Sequence, residues 1–224
     1  MKRAKIIVIE GTDGSGKETQ SKKAEKYLID KGFKVKRYSF PIYNSPTGKI
    51  VGASYLGKPE LGESVFPETS ASVDPIVSSL YYAADRRYNF LKEIEAEIYK
   101  NDYVILDRYT TSNLAHQGSK IKDKDERFNM YQWIDKLEYW LLQLPKPDKT
   151  IFLHVPYEVS CELKKNRENL DENEKSPEHL QGAERAYLEL AKLYNWDKIE
   201  CVKDGVLRSI EDINDEILNL IEEM

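Results

Sequence analysis

Seven residues near the start of the chain, Gly11-Thr12-Asp13-Gly14-Ser15-Gly16-Lys17, have the spacing of a loop that cradles phosphate. Three glycines let successive backbone N–H groups converge on one set of anionic oxygens, and the lysine reaches the outer phosphates. Ala4–Glu10 before it is a run rich in Ile and Val, and Thr19–Lys31 after it repeats apolar residues at helical spacing. A buried strand, a glycine turn and a helix N-terminus in that order are the context such a loop requires, because the helix dipole favours negative charge. Gly11 to Thr19, with Lys17 central, are therefore expected around the phosphates of a nucleotide. One position departs from the pattern. The residue after the lysine is usually Ser or Thr, whose hydroxyl holds Mg²⁺; here it is Glu18, with Thr19 one place later.

A second constellation is Val104-Ile105-Leu106-Asp107, a buried strand ending in an acid, followed directly by Arg108. A carboxylate at that place faces a metal ion held on the phosphate loop, so Asp107 is the candidate Mg²⁺ ligand. Arg108 sits at the same strand edge, placed for a substrate phosphate. Lys17, Asp107 and Arg108 form the candidate catalytic set. Their chemistry would be positioning and charge neutralisation.

These residues need a frame. Phe33–Phe40 alternates like a strand, Asp74–Lys100 is a long helical pattern, and Asp102–Asp107 reads as a strand. Asp125–Leu144 is helical, Thr150–Val155 a strand, Tyr157–Arg167 and Glu178–Trp196 helices, Ile199–Val202 a short strand and Ser209–Glu223 a capped helix. Strands alternating with helices predict an α/β three-layer sandwich around a parallel five-stranded sheet. Gly57–Pro75 and Asn166–Pro177 read as loops, and the second interrupts two helices where a mobile lid would sit. A length of 224 residues fits one domain over 1–224.

Composition excludes several classes. A net charge of −5 argues against a nucleic-acid binder, which carries a basic surplus. No apolar run is long enough to cross a membrane, and Ile6–Ile9 is too brief for a signal-peptide core. Two isolated cysteines, Cys161 and Cys201, supply neither a disulfide scaffold nor a zinc site. The expectation is a cytoplasmic protein. No Asn-Lys-x-Asp motif for guanine is present, which leaves a small kinase of nucleotides or metabolites.

Within that class the chain resembles the thymidylate kinase (dTMP kinase) family, in order and over nearly its whole length. The segments are Ile9–Lys17, Phe40-Pro41, Tyr82-Ala83-Ala84-Asp85-Arg86, Asp107–Asn113, Leu144–Asp148 and Tyr187–Ala191. The resemblance implies a P-loop NTPase fold of the nucleoside-monophosphate-kinase type, a lid near 166–178, and a homodimer. It implies transfer of the γ-phosphate of ATP to dTMP, with Mg²⁺, for dTTP synthesis. At matching positions it implies that Asp13 meets the sugar 3′-hydroxyl, Tyr82 stacks on thymine and Arg86 reaches the base O4. Asn113 contacts the base edge and Arg108 the monophosphate, with Phe40, Tyr43 and His116 beside them. Arg167 packs near adenine. The chain departs from the family where Ile42 replaces an arginine after Phe-Pro, where His116 replaces a tyrosine, and where the lid from Glu168 to Glu178 offers only Lys175. Another nucleoside-monophosphate or deoxynucleoside kinase on the same fold, or a nucleotide-binding regulator without catalysis, are the alternatives.

Overall fold

β1 (Lys5–Gly11) is buried from Ile6 onward, as its unbroken apolar run requires of a strand covered on both faces. It passes through the glycine loop into α1 (Lys17–Asp30), whose N-cap Gly16 has φ 83°, a left-handed conformation that suits glycine. β2 (Val35–Ser39) follows, then a cis Phe40–Pro41 peptide. α2 (Pro46–Lys49) runs on into a π-helical turn, Ile50–Tyr55. α3 (Pro75–Asn89) starts where the Asp74 carboxylate accepts from the N–H groups of Ile76 and Val77. It continues through a π-helical turn, Phe90–Ile94, into α4 (Glu95–Ile98). Then come β3 (Tyr103–Asp107), α5 (Thr110–Ser119) and α6 (Lys124–Asp135), the last extended by a π-helical turn, Lys136–Leu141. β4 (Lys149–His154), α7 (Tyr157–Lys164), α8 (Pro177–Leu193), β5 (Asp197–Glu200), a hairpin of β6 (Val202–Lys203) with β7 (Val206–Leu207), and α9 (Ile210–Glu222) complete the chain. This computed structural model describes residues 3–58, 60–164 and 173–224.

The main sheet has the order β2-β3-β1-β4-β5, and every neighbouring pair is parallel. Alternate residues of β1 serve opposite faces. Ile7 and Ile9 pack with Ala24 and Leu28 of α1 and with Ile213 and Ile217 of α9. Ile6 and Val8 pack with Phe90, Ile94 and Ile98. A further cluster joins Leu114, Ile134, Tyr187 and Leu190 around Phe152 of β4. Helices therefore cover both faces, and the loops leaving β1 and β3 meet at the carboxyl edge of the sheet, where ligands bind in open parallel sheets.

The α/β sandwich is the one expected from the sequence. Three local features are not. Thr110–Ser119 is a helix that the sequence pattern did not suggest, and it carries Asn113. Polar Thr-Thr-Ser-Asn reads as a loop because such side chains compete with helix hydrogen bonds; here Thr111 and Ser112 are engaged by a buried carboxylate instead. Residues 46–55 are helical, and β6 with β7 form a hairpin where the sequence suggested only one short strand.

Candidate active site

The carboxyl edge of β1 and β3 opens into a cavity of about 410 Å³. One end is the phosphate loop. Lys17 is buried and its Nζ donates to the Thr12 carbonyl at 2.8 Å. Burial, helped by the Arg108 charge, pushes the Lys17 ammonium down to about 8. A Cβ on Gly11 would stand 2.4 Å from Ser15 Oγ and 2.7 Å from the Leu153 carbonyl, so only glycine lets the loop close there. The hydroxyls of Thr12 and Ser15 are buried without a partner among the described residues. Unpaired buried donors are costly in a native fold and fit a loop built to meet an anion.

The second strand end supplies Asp107, nearly buried, and Arg108, which has φ 65°. A left-handed arginine is strained and persists only where the surroundings fix it. The fixing group is Glu10, fully buried, which the sequence reading did not single out. Its carboxylate accepts from the Tyr109 N–H at 3.2 Å, Thr111 Oγ1 at 2.5 Å, Ser112 Oγ at 2.8 Å and Tyr187 OH at 3.0 Å. The turn that follows Asp107 is thus tied to the strand beside it. Arg108 Nη2 pairs with Asp13, and Nη1 lies 3.2 Å from Tyr187 OH and 3.3 Å from Ser112 Oγ. Burial opposes its charge, and the Asp13 carboxylate outweighs it, so its pKa stands well above the ordinary value.

Asp107 and the start of α1 are the residues that would hold Mg²⁺. Among the described residues no group of three His, Cys, Asp or Glu side chains gathers to bind a metal. Mg²⁺ is ordinarily held by one or two carboxylates with waters and substrate phosphates, and Asp107 supplies one such carboxylate. The Glu18 carboxylate is 70% exposed and pairs with Lys22 at 2.5 Å. Thr19 remains on the cavity wall.

The other end of the cavity is aromatic and polar. Tyr82 is half-buried, and its ring stands edge-on to that of Tyr55, with centroids 5.5 Å apart. Tyr55 is buried and also packs on Phe66 and Tyr81, so an aromatic cluster backs the wall beneath Tyr82. Arg86, four residues on, is 3% exposed and pairs through Nε, at 3.0 Å, and Nη2 with Glu138, itself 0% exposed. Asn113 Nδ2 donates to the same Glu138 at 2.9 Å, which leaves its buried Oδ1 without a partner among the described residues. Gln117, one turn along α5, is 1% exposed, and neither its Oε1 nor its Nε2 has a partner there. Sequence reasoning missed Gln117 because residues 110–119 did not read as a helix; with that helix drawn, its i+4 spacing from Asn113 puts both amides on one face.

Of the residues expected to form the site, Asp13, Gly14, Gly16, Lys17, Glu18 and Thr19 line the cavity at the phosphate end. Phe40, Tyr43, Tyr82, Arg86, Asp107, Arg108, Asn113 and His116 line the rest. Gly11, Thr12 and Ser15 sit behind the wall as backbone of the loop. Arg167, and the lid up to residue 172, lie outside the described residues; Asn173 and Glu174 reach the cavity, whereas Lys175 is exposed away from it. Lys58 joins Lys17, Arg86 and Arg108 as the cations on the described wall, its Nζ 5.1 Å from the centroid of the Tyr43 ring. It brings a positive charge beside the segment where Ile42 has none.

A parallel sheet in this strand order, with a phosphate loop after β1 and an acid ending β3, defines a P-loop NTPase fold. A sequence model of the thymidylate kinase family matches residues 9–217, and the chain belongs to that family of phosphotransferases. It is 33% identical over 221 residues to a thymidylate kinase of Prochlorococcus marinus strain NATL2A, covering 98% of both chains. It is 33% identical over 224 residues to a probable thymidylate kinase of Pyrococcus horikoshii, covering 98% of this chain and 96% of that one. The solved thymidylate kinase of Candida albicans superposes with a TM-score of 0.71 at 24% identity, over 99% of this chain and 92% of that one.

Proposed function

We propose that the protein transfers the γ-phosphate of ATP to dTMP, giving ADP and dTDP for dTTP synthesis. The observation that carries this reading is the polarity of one continuous cavity. Phosphate-loop donors stand at one end, an aromatic wall with unpaired amides at the other, and Arg108 between them. Thymine offers an acceptor at O4 and a donor at N3. Arg86, held by Glu138 through Nε and Nη2, keeps Nη1 for O4, and Asn113 Oδ1 suits the N3–H. Gln117 adds a second amide to the base edge, and Tyr82 supplies the stacking face. Cytosine reverses both groups and would meet like with like.

Lys17 and the loop N–H groups hold the donor phosphates. Asp107 would hold Mg²⁺, which would supply neutralisation of the charge developing on the transferred phosphoryl group. Arg108 holds the acceptor phosphate in line, and Lys58 adds charge beside Tyr43. No general base is required, because the attacking phosphate oxygen is already ionised. Asp13 receives the sugar hydroxyl once Arg108 turns to phosphate. His116 walls the sugar side. We further infer one nucleoside-monophosphate-kinase domain over 1–224 with its lid near 166–178, Arg167 beside adenine, and a homodimer. The free cysteines Cys161 and Cys201 suit the reducing cytoplasm, and no described helix is long and apolar enough to cross a membrane.

The test is ADP release with ATP and Mg²⁺ against dTMP, dUMP, thymidine and AMP. The expected result is fastest turnover, by kcat/KM, with dTMP. Faster turnover of thymidine or AMP assigns another kinase of this fold, and ATP binding without turnover of any acceptor assigns a regulator.

A further inference from the structure

Two histidines lie edge to edge beneath the acceptor pocket. His116 of α5 and His179 of α8 have ring centroids 5.4 Å apart and planes within 16° of parallel. Their facing nitrogens, His116 Nδ1 and His179 Nε2, are 3.1 Å apart, so one donates to the other. His116 Nε2 lies 3.4 Å from Arg108 Nη1, and His179 Nδ1 lies 3.4 Å from Ser119 Oγ. Ser119 in turn donates its hydroxyl proton to the His116 carbonyl at 2.7 Å.

Only one proton arrangement satisfies this ring of contacts. Arginine has donors alone, so His116 Nε2 must accept from Arg108 and its proton must sit on Nδ1. His179 Nε2 then accepts that Nδ1–H, and the His179 proton sits on Nδ1, where Ser119 Oγ accepts it. Both rings are neutral in this arrangement. The surroundings agree: burial first, then the neighbouring Arg108 and His179, hold His116 well below its ordinary pKa, and burial with Lys120 nearby pushes His179 down to about 4.

We propose that His179 is a positioning residue for the acceptor phosphate: it fixes the tautomer of His116 and thereby keeps an acceptor aimed at Arg108. The inference rests on Arg108 as the phosphate ligand. Arg108 Nη1 carries two protons, and the Gly11 carbonyl, Ser112, Tyr187 and His116 all compete for them. Without His179 the His116 proton is free to move to Nε2, where donor meets donor and the guanidinium is pushed from its seat. His179 also ties that seat to the first turn of α8, whose N–H it presents to the Ser176 cap. Ser176 lies three residues after Asn173, which lines the cavity, so that part of the wall is joined to Arg108 through His179 and His116.

Long-range ¹H–¹⁵N spectra of the histidine rings test the relay without a variant. The expected result is the Nδ1–H tautomer at both rings at pH 7; an Nε2–H tautomer at His116 overturns it. Kinetics test its purpose. His179→Phe keeps a planar ring there and removes the acceptor, and should lower kcat/KM for dTMP about tenfold, the scale of one buried hydrogen bond, with KM for ATP within about twofold of wild type. His179→Asn offers an amide oxygen to the same Nδ1–H and should recover to within about threefold. Wild-type kinetics in His179→Phe, or equal losses in the two variants, overturn the proposal. Arg108→Ala separates the two claims. An unchanged KM for dTMP in that variant overturns the phosphate role of Arg108 itself, whereas a raised KM with wild-type behaviour in His179→Phe overturns the relay alone.

Discussion

At the scale of single residues, the site contains groups that the free fold holds at a cost. Gln117 is the plainest: a fully buried amide with no partner for either polar atom among the described residues. Each unmet buried group costs about 1–3 kcal/mol, so evolution had no folding reason to keep a glutamine there. Gln117→Met removes the amide at nearly equal volume. The expected outcome is a rise in the stability of the ligand-free protein of about 1–2 kcal/mol, which for this chain length raises Tm by roughly 2–8 °C. The same variant should lower kcat/KM for dTMP tenfold or more. Calorimetry beside acceptor kinetics checks both; a lower Tm with wild-type kinetics means that Gln117 is a packing residue. Lys17 shows the same logic in charge. Its ammonium is depressed by burial below the ordinary 10.5, so the folded state holds this proton less tightly than the unfolded chain does. That penalty is fully present below about pH 8 and fades as pH rises toward 10.5.

At the scale of elements, the question is what aims these residues. Glu138 sits on a π-helical turn where α6 runs out, and from there it reaches Arg86 on α3 and Asn113 on α5. One carboxylate thus sets the angle between three helices at the acceptor end of the cavity. Breaking a buried pair by deleting one partner costs about 3–5 kcal/mol, because the other charge is left uncompensated. Glu138→Ala should lose that much in urea unfolding, with Glu138→Gln, which keeps an acceptor for the guanidinium, losing less. Equal stability of Glu138→Ala and wild type would show that Arg86 is held by something else. This also means that Arg86→Ala is a poor probe of base choice, since it strands Glu138.

Much of this frame was legible in the chain. The loop at Gly11–Lys17 and the strand ending at Asp107 have patterns set by local backbone needs, and both lie where they were expected. Glu138 carried a signal that is easy to pass over: a charge on the buried stripe of Tyr131, Ile134 and Leu137. Glu10 carried none, because an acid after an Ile-Val run reads as the end of a strand. Its four donors come from residues 99 to 177 positions away, and no spacing rule reaches that far.

At the scale of the whole molecule, the surface is not uniformly polar. Along α3 and its continuation, Val77, Leu80, Ala84 and Leu91 recur at helical spacing on the outer side, with Leu80 49% and Leu91 54% exposed. The adjoining π-helical turn, joined to α3 by the Arg86–Glu138 pair, leaves Trp140 64% and Leu141 57% exposed. Single exposed apolar residues are ordinary, whereas a stripe along one helix is what a protein–protein contact would use. A second copy of the chain is the occupant we infer. The stripe lies on the helix whose inner side carries Tyr82 and Arg86, so a twofold contact there would brace the thymine end of both cavities. A stable interface needs about 800 Å² per partner, which demands a long helix face rather than one side chain. Light scattering on the purified protein should give a mass of about twice the 26.1 kDa chain. Leu80→Glu combined with Leu91→Glu places like charges against each other across the twofold axis and should yield monomers. If bracing is the reason for the contact, those monomers keep their affinity for ATP and lose affinity for dTMP. A wild-type protein that runs as a monomer at micromolar concentration removes the dimer, and a monomeric double variant with unchanged KM for dTMP removes the bracing role.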